Sequence, residues 1–184
     1  MNNPFHPYNP PKLTIELVPA AQWGDNLRSH LKPSQWDYLR NACYTRANHR
    51  CEVCGDVGKK HPVECHEIWD YNDSARVQTL VGLVSLCPAC HQVKHMGRAA
   101  ATGNLARALL HLMQVNEWPE DLAEEYVMRQ FEIYGIRSSF GWTINLDWLK
   151  GAEQYIKETA GIVRQQRSER AQATIASMTR KHDA

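Results

Sequence analysis

The chain has 184 residues, of which 43% are hydrophobic and 22% charged, and it carries a formal net charge of +1. That length buries one core and that composition is ordinary for a globular protein, so disorder is not the expectation, and a net charge so near zero is no nucleic-acid footprint by itself. No segment approaches the roughly 18 apolar residues of a membrane helix, and the opening Met1-Asn-Asn-Pro-Phe lacks a basic start ahead of an apolar run, so no membrane association is expected and a cytoplasmic location is. Charge is unevenly spread: Ser74 to Asn116 contains no Asp or Glu but holds Arg76, Lys94, Arg98 and Arg107. That span reads either as a locally basic face or as a solvated helix surface.

Residues 1–12 are rich in Pro and Asn and read as an extended arm. Lys12 to Val18 alternates apolar and polar residues, the period of a strand, until Pro19 breaks it. A helix is predicted over 34–47, with Ser34 as its cap, Asp37 in an approximate capping box, and Trp36, Leu39, Arg40, Cys43, Tyr44 and Ala47 at helical spacing. Cys43 lies on its apolar side and reads as a buried hydrophobe.

A knuckle follows at Cys51-Glu-Val-Cys54-Gly55, then a strand from Val63 to Trp69, a turn at Asp70 to Asp73, and a second strand from Val77 to Leu86 interrupted at Gly82. Pro88 suits the first position of a helix that carries Cys90 near its start. Gly97 to Gly103 reads as a small-residue break. Asn104 then caps a helix through Leu105, Ala108, Leu109, Leu112 and Met113, and Pro119 opens another with Leu122, Tyr126, Val127, Phe131 and Tyr134 on one face, the two forming a helical hairpin. Trp142 to Leu146 reads as a short extended piece, with Asp147 near the start of a final helix that turns polar after Val163. Its Arg164, Arg167 and Arg170 read as a solvated end or as a surface for a protein partner. The expected fold is α+β, mainly helical, with an arm and possible strand over 1–33, a zinc-containing domain with its leading helix over 34–98, and a helical extension over 99–184.

Four of the six cysteines form two C-x-x-C pairs, Cys51 with Cys54 and Cys87 with Cys90. Spaced roughly thirty residues apart, they match a four-thiolate structural zinc site better than disulfides. His66 lies on the strand between the pairs, and His91 and His95, four apart, share a face of the helix that follows. Converging there, the three imidazoles would form a second metal site with open positions, as hydrolytic metals require. The plainer alternative is that each satisfies a local hydrogen bond. His61 falls on a loop.

Together the runs Cys51-x-x-Cys54-Gly, Val-Glu-Cys-His66-Glu67-Ile and Leu-Cys87-Pro-Ala-Cys90-His91-x-x-Lys-His95 resemble the HNH endonucleases over roughly residues 46–96. The resemblance implies a treble-clef-like ββα-metal core and hydrolysis of phosphodiester bonds in nucleic acid, usually duplex DNA. It also implies a divalent metal (Mg, Mn, Ni or Zn) bound by His66 and His91, beside a zinc held by the cysteines. The chain departs from the family's pattern at two places: Glu67 stands where the general-base histidine belongs, and Gly82 where a bracing asparagine does. Asn72 or Gln78 are the substitutes for the brace. A carboxylate is a weaker base than imidazole but is ionised at neutral pH, and it either takes the proton or binds the metal. A second register puts Cys65 in the ligand place and His66 in the base place. Against the enzyme stands a catalytically silent zinc module of the same fold that binds nucleic acid or protein.

Overall fold

An antiparallel hairpin of β1 (Glu64–Asn72) and β2 (Val77–Leu86) is the centre of the computed structural model, which describes residues 11–58, 61–152 and Glu169. Glu64 lies opposite Leu86, and Asn72 opposite Val77. Gly82 does not interrupt β2; it faces Ile68, while Trp69 faces Leu80, so Val81 bulges outward and is exposed. The turn comes later than the expected Asp70 to Asp73: Asn72 Oδ1 accepts from the Ala75 N–H at 2.9 Å, and Arg76 takes φ 53°. A third strand, β3 (Thr143–Asn145), joins β2 in parallel with Val77 opposite Thr143, giving the order β1-β2-β3.

Because side chains alternate along a strand, the hairpin has two unlike faces. Cys65, Trp69, Leu80 and Leu83 pack with Leu27, Leu39 and Cys43, the last two from helix α1 (Pro33–Arg46). Val84 and Leu86 turn to the other side, against Cys90, Val93 and Met96. α1 begins at Pro33 rather than Ser34: the Lys32 N–H donates to Gln35 Oε1 at 2.9 Å, so the expected Ser34 and Asp37 box does not form. Cys43 is fully buried, as its place on the apolar side predicted.

Helix α2 (Pro88–Lys94) starts at Pro88 with Cys87 as its cap. The expected break at Gly97 to Gly103 is instead a helix, α3 (Met96–Ala101), set off from α2 by a bend at His95. Met96 and Ala99 are buried there, and Gly97 is the point of close approach, where a Cβ would stand 3.3 Å from Leu17 Cδ2. The break falls at Gly103, with φ 70°. α4 (Leu105–Asn116) and α5 (Glu120–Ser138) form the expected helical hairpin, although the Asn104 side chain donates back to the Thr102 carbonyl instead of capping α4.

Lys12 to Val18 bends at Lys12 and Leu13 and pairs with no strand, which corrects the expectation. Leu13 exchanges two hydrogen bonds of 2.9 Å with the Asn116 side chain, Ile15 N–H donates to Tyr126 OH at 3.2 Å, and Glu16 N–H to the Lys94 carbonyl at 3.0 Å. The alternation there records burial: Leu13 and Ile15 sit in the same core as Cys51, Leu86, Leu112 and Tyr126. That core therefore draws on all three expected regions. The final helix expected past residue 152, with Arg164, Arg167 and Arg170, falls outside the described residues. About half of the described chain is helical, the class is α+β, and no described helix is long and apolar enough to cross a membrane.

Candidate metal centres

Cys51 and Cys54 are presented by a knuckle closed by Gly55 N–H to the Cys51 carbonyl and Cys51 N–H to the Asp56 carbonyl, each 2.9 Å. Gly55 takes φ 77°, a backbone region that glycine enters without steric cost. Glu52 ties the knuckle to β2: its N–H donates to the Ser85 carbonyl, its Oε2 accepts from the Ser85 N–H, both at 2.8 Å, and Arg46 grips the carboxylate at 2.7 and 2.9 Å. Cys87 and Cys90 come from the first turn of α2, where Cys87 Sγ accepts from the Cys90 N–H at 3.5 Å.

The four sulfurs lie within 4.8 Å of one another, with Cys54 and Cys87 3.7 Å apart. Four thiolates about 2.3 Å from a tetrahedral zinc stand about 3.8 Å apart, so these cysteines are close enough to hold one ion. All four are free of disulfides. A hydrogen bond from the Cys90 thiol pulls Cys51 down to about 4, the same bond pushes Cys90 up, and burial pushes Cys54 up to about 11. The Cys51 thiolate is held at the expense of Cys90, an imbalance that a cation in their midst would relieve. His111 on α4 adds an outer contact, with Nε2 3.2 Å from Cys90 Sγ.

The second cluster lies beside the first. His66 is buried on the α2-facing side of β1, His91 is on α2 and His95 ends it. Their donor atoms also fall within 4.8 Å of one another, and His91 Nε2 stands 3.1 Å from His95 Nε2. Glu64 Oε2 lies 2.7 Å from His91 Nδ1, so that nitrogen carries the proton and Nε2 is left with its lone pair toward the group. Burial pushes His91 down, and burial, then the other two imidazoles, pushes His95 down to about 3. Neutral imidazoles are the form that binds metals. Glu16 approaches His66 from the N-terminal segment, with Oε1 3.6 Å from Nε2.

A cleft of about 810 Å³ opens over the three histidines, faced by the aromatic rings of Trp23, Trp36, Phe131 and Tyr134. Trp23 is 70% exposed yet fixed: its Nε1–H donates to the Val18 carbonyl at 3.0 Å and its ring stacks on Tyr134. Arg98 borders both this cleft and a smaller one of about 460 Å³ on the far side of His91 and His95.

The structure thus brings together Cys51, Cys54, Cys87 and Cys90, and separately His66, His91 and His95. Glu67 belongs to neither group of donor atoms, although it lines the same cleft as the three histidines. One residue along β1 from His66, it turns to the opposite face, where Oε1 accepts from the Leu27 N–H at 2.9 Å and burial pushes its carboxyl above the ordinary range. Cys65 shares that face and is hydrogen-bonded with Cys43. Gly82 faces Ile68, Asn72 holds the hairpin turn, and Gln78 is buried with both amide atoms unpartnered. Sequence reasoning missed Glu16, Glu64 and His111. Glu64 sits two residues before His66 and so shares its face, a signal that was available; the other two reach their clusters only through tertiary packing. Comparison with protein-family models, with curated proteins and with solved structures finds no match to this chain.

Proposed function

We propose that the protein is a metal-dependent endonuclease of HNH type that hydrolyses phosphodiester bonds in nucleic acid, with duplex DNA as the expected substrate. The observation that carries this reading is the convergence of His66, His91 and His95 under an open cleft, next to a four-cysteine cluster. In this reading the cysteines hold a structural zinc in a treble-clef-like ββα core. The three imidazoles hold a second divalent ion (Mg, Mn, Ni or Zn), which supplies charge for the scissile phosphate and the leaving oxygen. Glu64 keeps His91 in the ligating tautomer, and Arg98, at the rim, is positioned to meet a phosphate.

One observation favours the silent module instead. Glu67, expected in the base position, is occupied by the Leu27 N–H on the opposite face of the hairpin. Incubating the protein with plasmid DNA and each of the four metals separates the two. Cleavage that is lost in His91→Ala and kept in a surface variant supports the nuclease; binding without cutting under every metal supports the module. Glu67→Gln that still cuts removes that carboxylate as the base.

A further inference from the structure

Glu16 Oε1 and His66 Nε2 face one another at 3.6 Å, and neither has a hydrogen-bond partner. Both side chains are deeply buried, at 10% and 7% exposure. The other oxygen of Glu16 lies 3.8 Å from Lys94 Nζ, which itself donates to Thr14 Oγ1 at 2.6 Å. That lysine balances the carboxylate on one side only. Buried polar atoms in folded proteins are almost always paired, so two orphans aimed at one space mark the place of a partner. At 3.6 Å they are too far apart to serve each other well. The distance is a little above that between two ligands of one ion: donors about 2.1 Å from a metal stand about 3.0 Å apart at a right angle and about 3.4 Å at the tetrahedral angle.

We infer that Glu16 is a fourth donor to the ion held by His66, His91 and His95, making a site of three imidazoles and one carboxylate. The inference rests on the second metal of the proposed function and adds a ligand from outside residues 46–96. Glu16 lies outside the three-imidazole group whose donor atoms all fall within 4.8 Å, so to bind the same ion its carboxylate moves inward from the His66 side. Its backbone is set for that approach by the hydrogen bond from Glu16 N–H to the Lys94 carbonyl, one residue before His95.

A fourth protein ligand changes which metals leave the site open. A tetrahedral zinc ion bound by four protein donors has no position for water, as in structural sites. A six-coordinate ion such as manganese or nickel keeps two positions, enough for a water and a phosphate oxygen. Zinc in this site therefore closes it, and a six-coordinate metal opens it.

Titration of nickel into protein carrying one zinc per chain, followed by calorimetry, tests the assignment. Wild type takes up one nickel. Glu16→Gln weakens that uptake by about 100-fold or more, whereas loss of an outer carboxylate, as in Glu64→Gln, costs about 10- to 100-fold. A Glu16→Gln protein that binds nickel as wild type does, or loses no more than Glu64→Gln, overturns the inference and leaves the second metal standing. A wild type that takes up no nickel overturns both. If Glu16→Gln does not fold, a crystal structure of nickel-loaded wild type decides. A Glu16 oxygen within about 2.0–2.2 Å of the ion supports the assignment, and a water in its place overturns it.

Discussion

His111 shows how a single residue outside any ligand set bears on a metal site. Its Nε2 lies 3.2 Å from Cys90 Sγ, and a hydrogen bond to a thiolate lowers the charge that the ion must balance. His111→Ala is expected to reduce zinc affinity about 10- to 100-fold without emptying the site, measured by competition with a chromogenic chelator. His95 offers a pH test. Burial and the neighbouring imidazoles hold it neutral down to about 3 in the folded protein, while in the unfolded chain it titrates near 6.5. A folded pKa below the unfolded one contributes stability that is fully present above pH 6.5 and is lost as pH falls toward 3. In protein carrying only the cysteine-bound zinc, the slope between pH 6.5 and 5 should be shallower in His95→Gln than in wild type, by at most about 1.4 kcal/mol per pH unit, in denaturant titrations. Equal slopes would show that His95 is free to protonate in the fold.

Among the elements, the knuckle and the N-terminal segment both depend on one side chain. Glu52 joins the knuckle to β2 through the Ser85 N–H and to α1 through Arg46, so Glu52→Ala leaves a part-buried N–H unpaired. We expect it to cost about 1–3 kcal/mol, read as a lower urea midpoint. Asn116 does the same for Leu13, pairing both its N–H and its carbonyl. Asn116→Ala should cost a similar amount and, by loosening the segment that carries Glu16, weaken uptake of the second ion; unchanged nickel affinity would uncouple the two. These elements also show what the sequence revealed. The hairpin, the helix at Pro88 and the α4–α5 pair were legible because periodicity and local punctuation determine them. The strand expected at Lys12 to Val18 was not, because alternation reports which side chains are buried and says nothing of what pairs with the backbone. Gly97 to Gly103 was misread for a similar reason: small residues that let Leu17 approach a helix look, in sequence, like residues that end one. The thiolate site was readable from spacing alone, and the histidine cluster from a strand and a helical i, i+4 pair. The acid that faces His66 was hidden because it belongs to a segment held in place by residues more than 100 positions away.

For the whole molecule, the hairpin is a partition with a core on each side. Cys51, Cys87 and Cys90 are part of the core that also holds Leu13, Leu112 and Tyr126. Structural zinc contributes on the order of 10–16 kcal/mol in finger peptides, against roughly 5–15 kcal/mol for the stability of a whole domain. With zinc held by the four cysteines as proposed, stripping it or replacing Cys54 by Ser is expected to abolish the cooperative melt of the whole molecule, seen by near-ultraviolet circular dichroism. A variant that melts cooperatively at the wild-type temperature would mean that the cores stand without the metal.

The tether between Leu13 and Asn116 spans 103 residues of sequence, and that from Ile15 to Tyr126 spans 111. Contacts so distant along the chain are slow to form, because their loop entropy must be overcome before they contribute anything. During synthesis the N-terminal segment leaves the ribosome before α4 and α5, and the ties of Leu13 and Ile15 wait until those helices have followed. The β1–β2 hairpin, whose contacts are local, has no such wait. Pulse-labelled hydrogen exchange during refolding should find the β1–β2 amides protected before those of Leu13 and Ile15, so the histidine cluster would exist for a time before the N-terminal segment settles beside it.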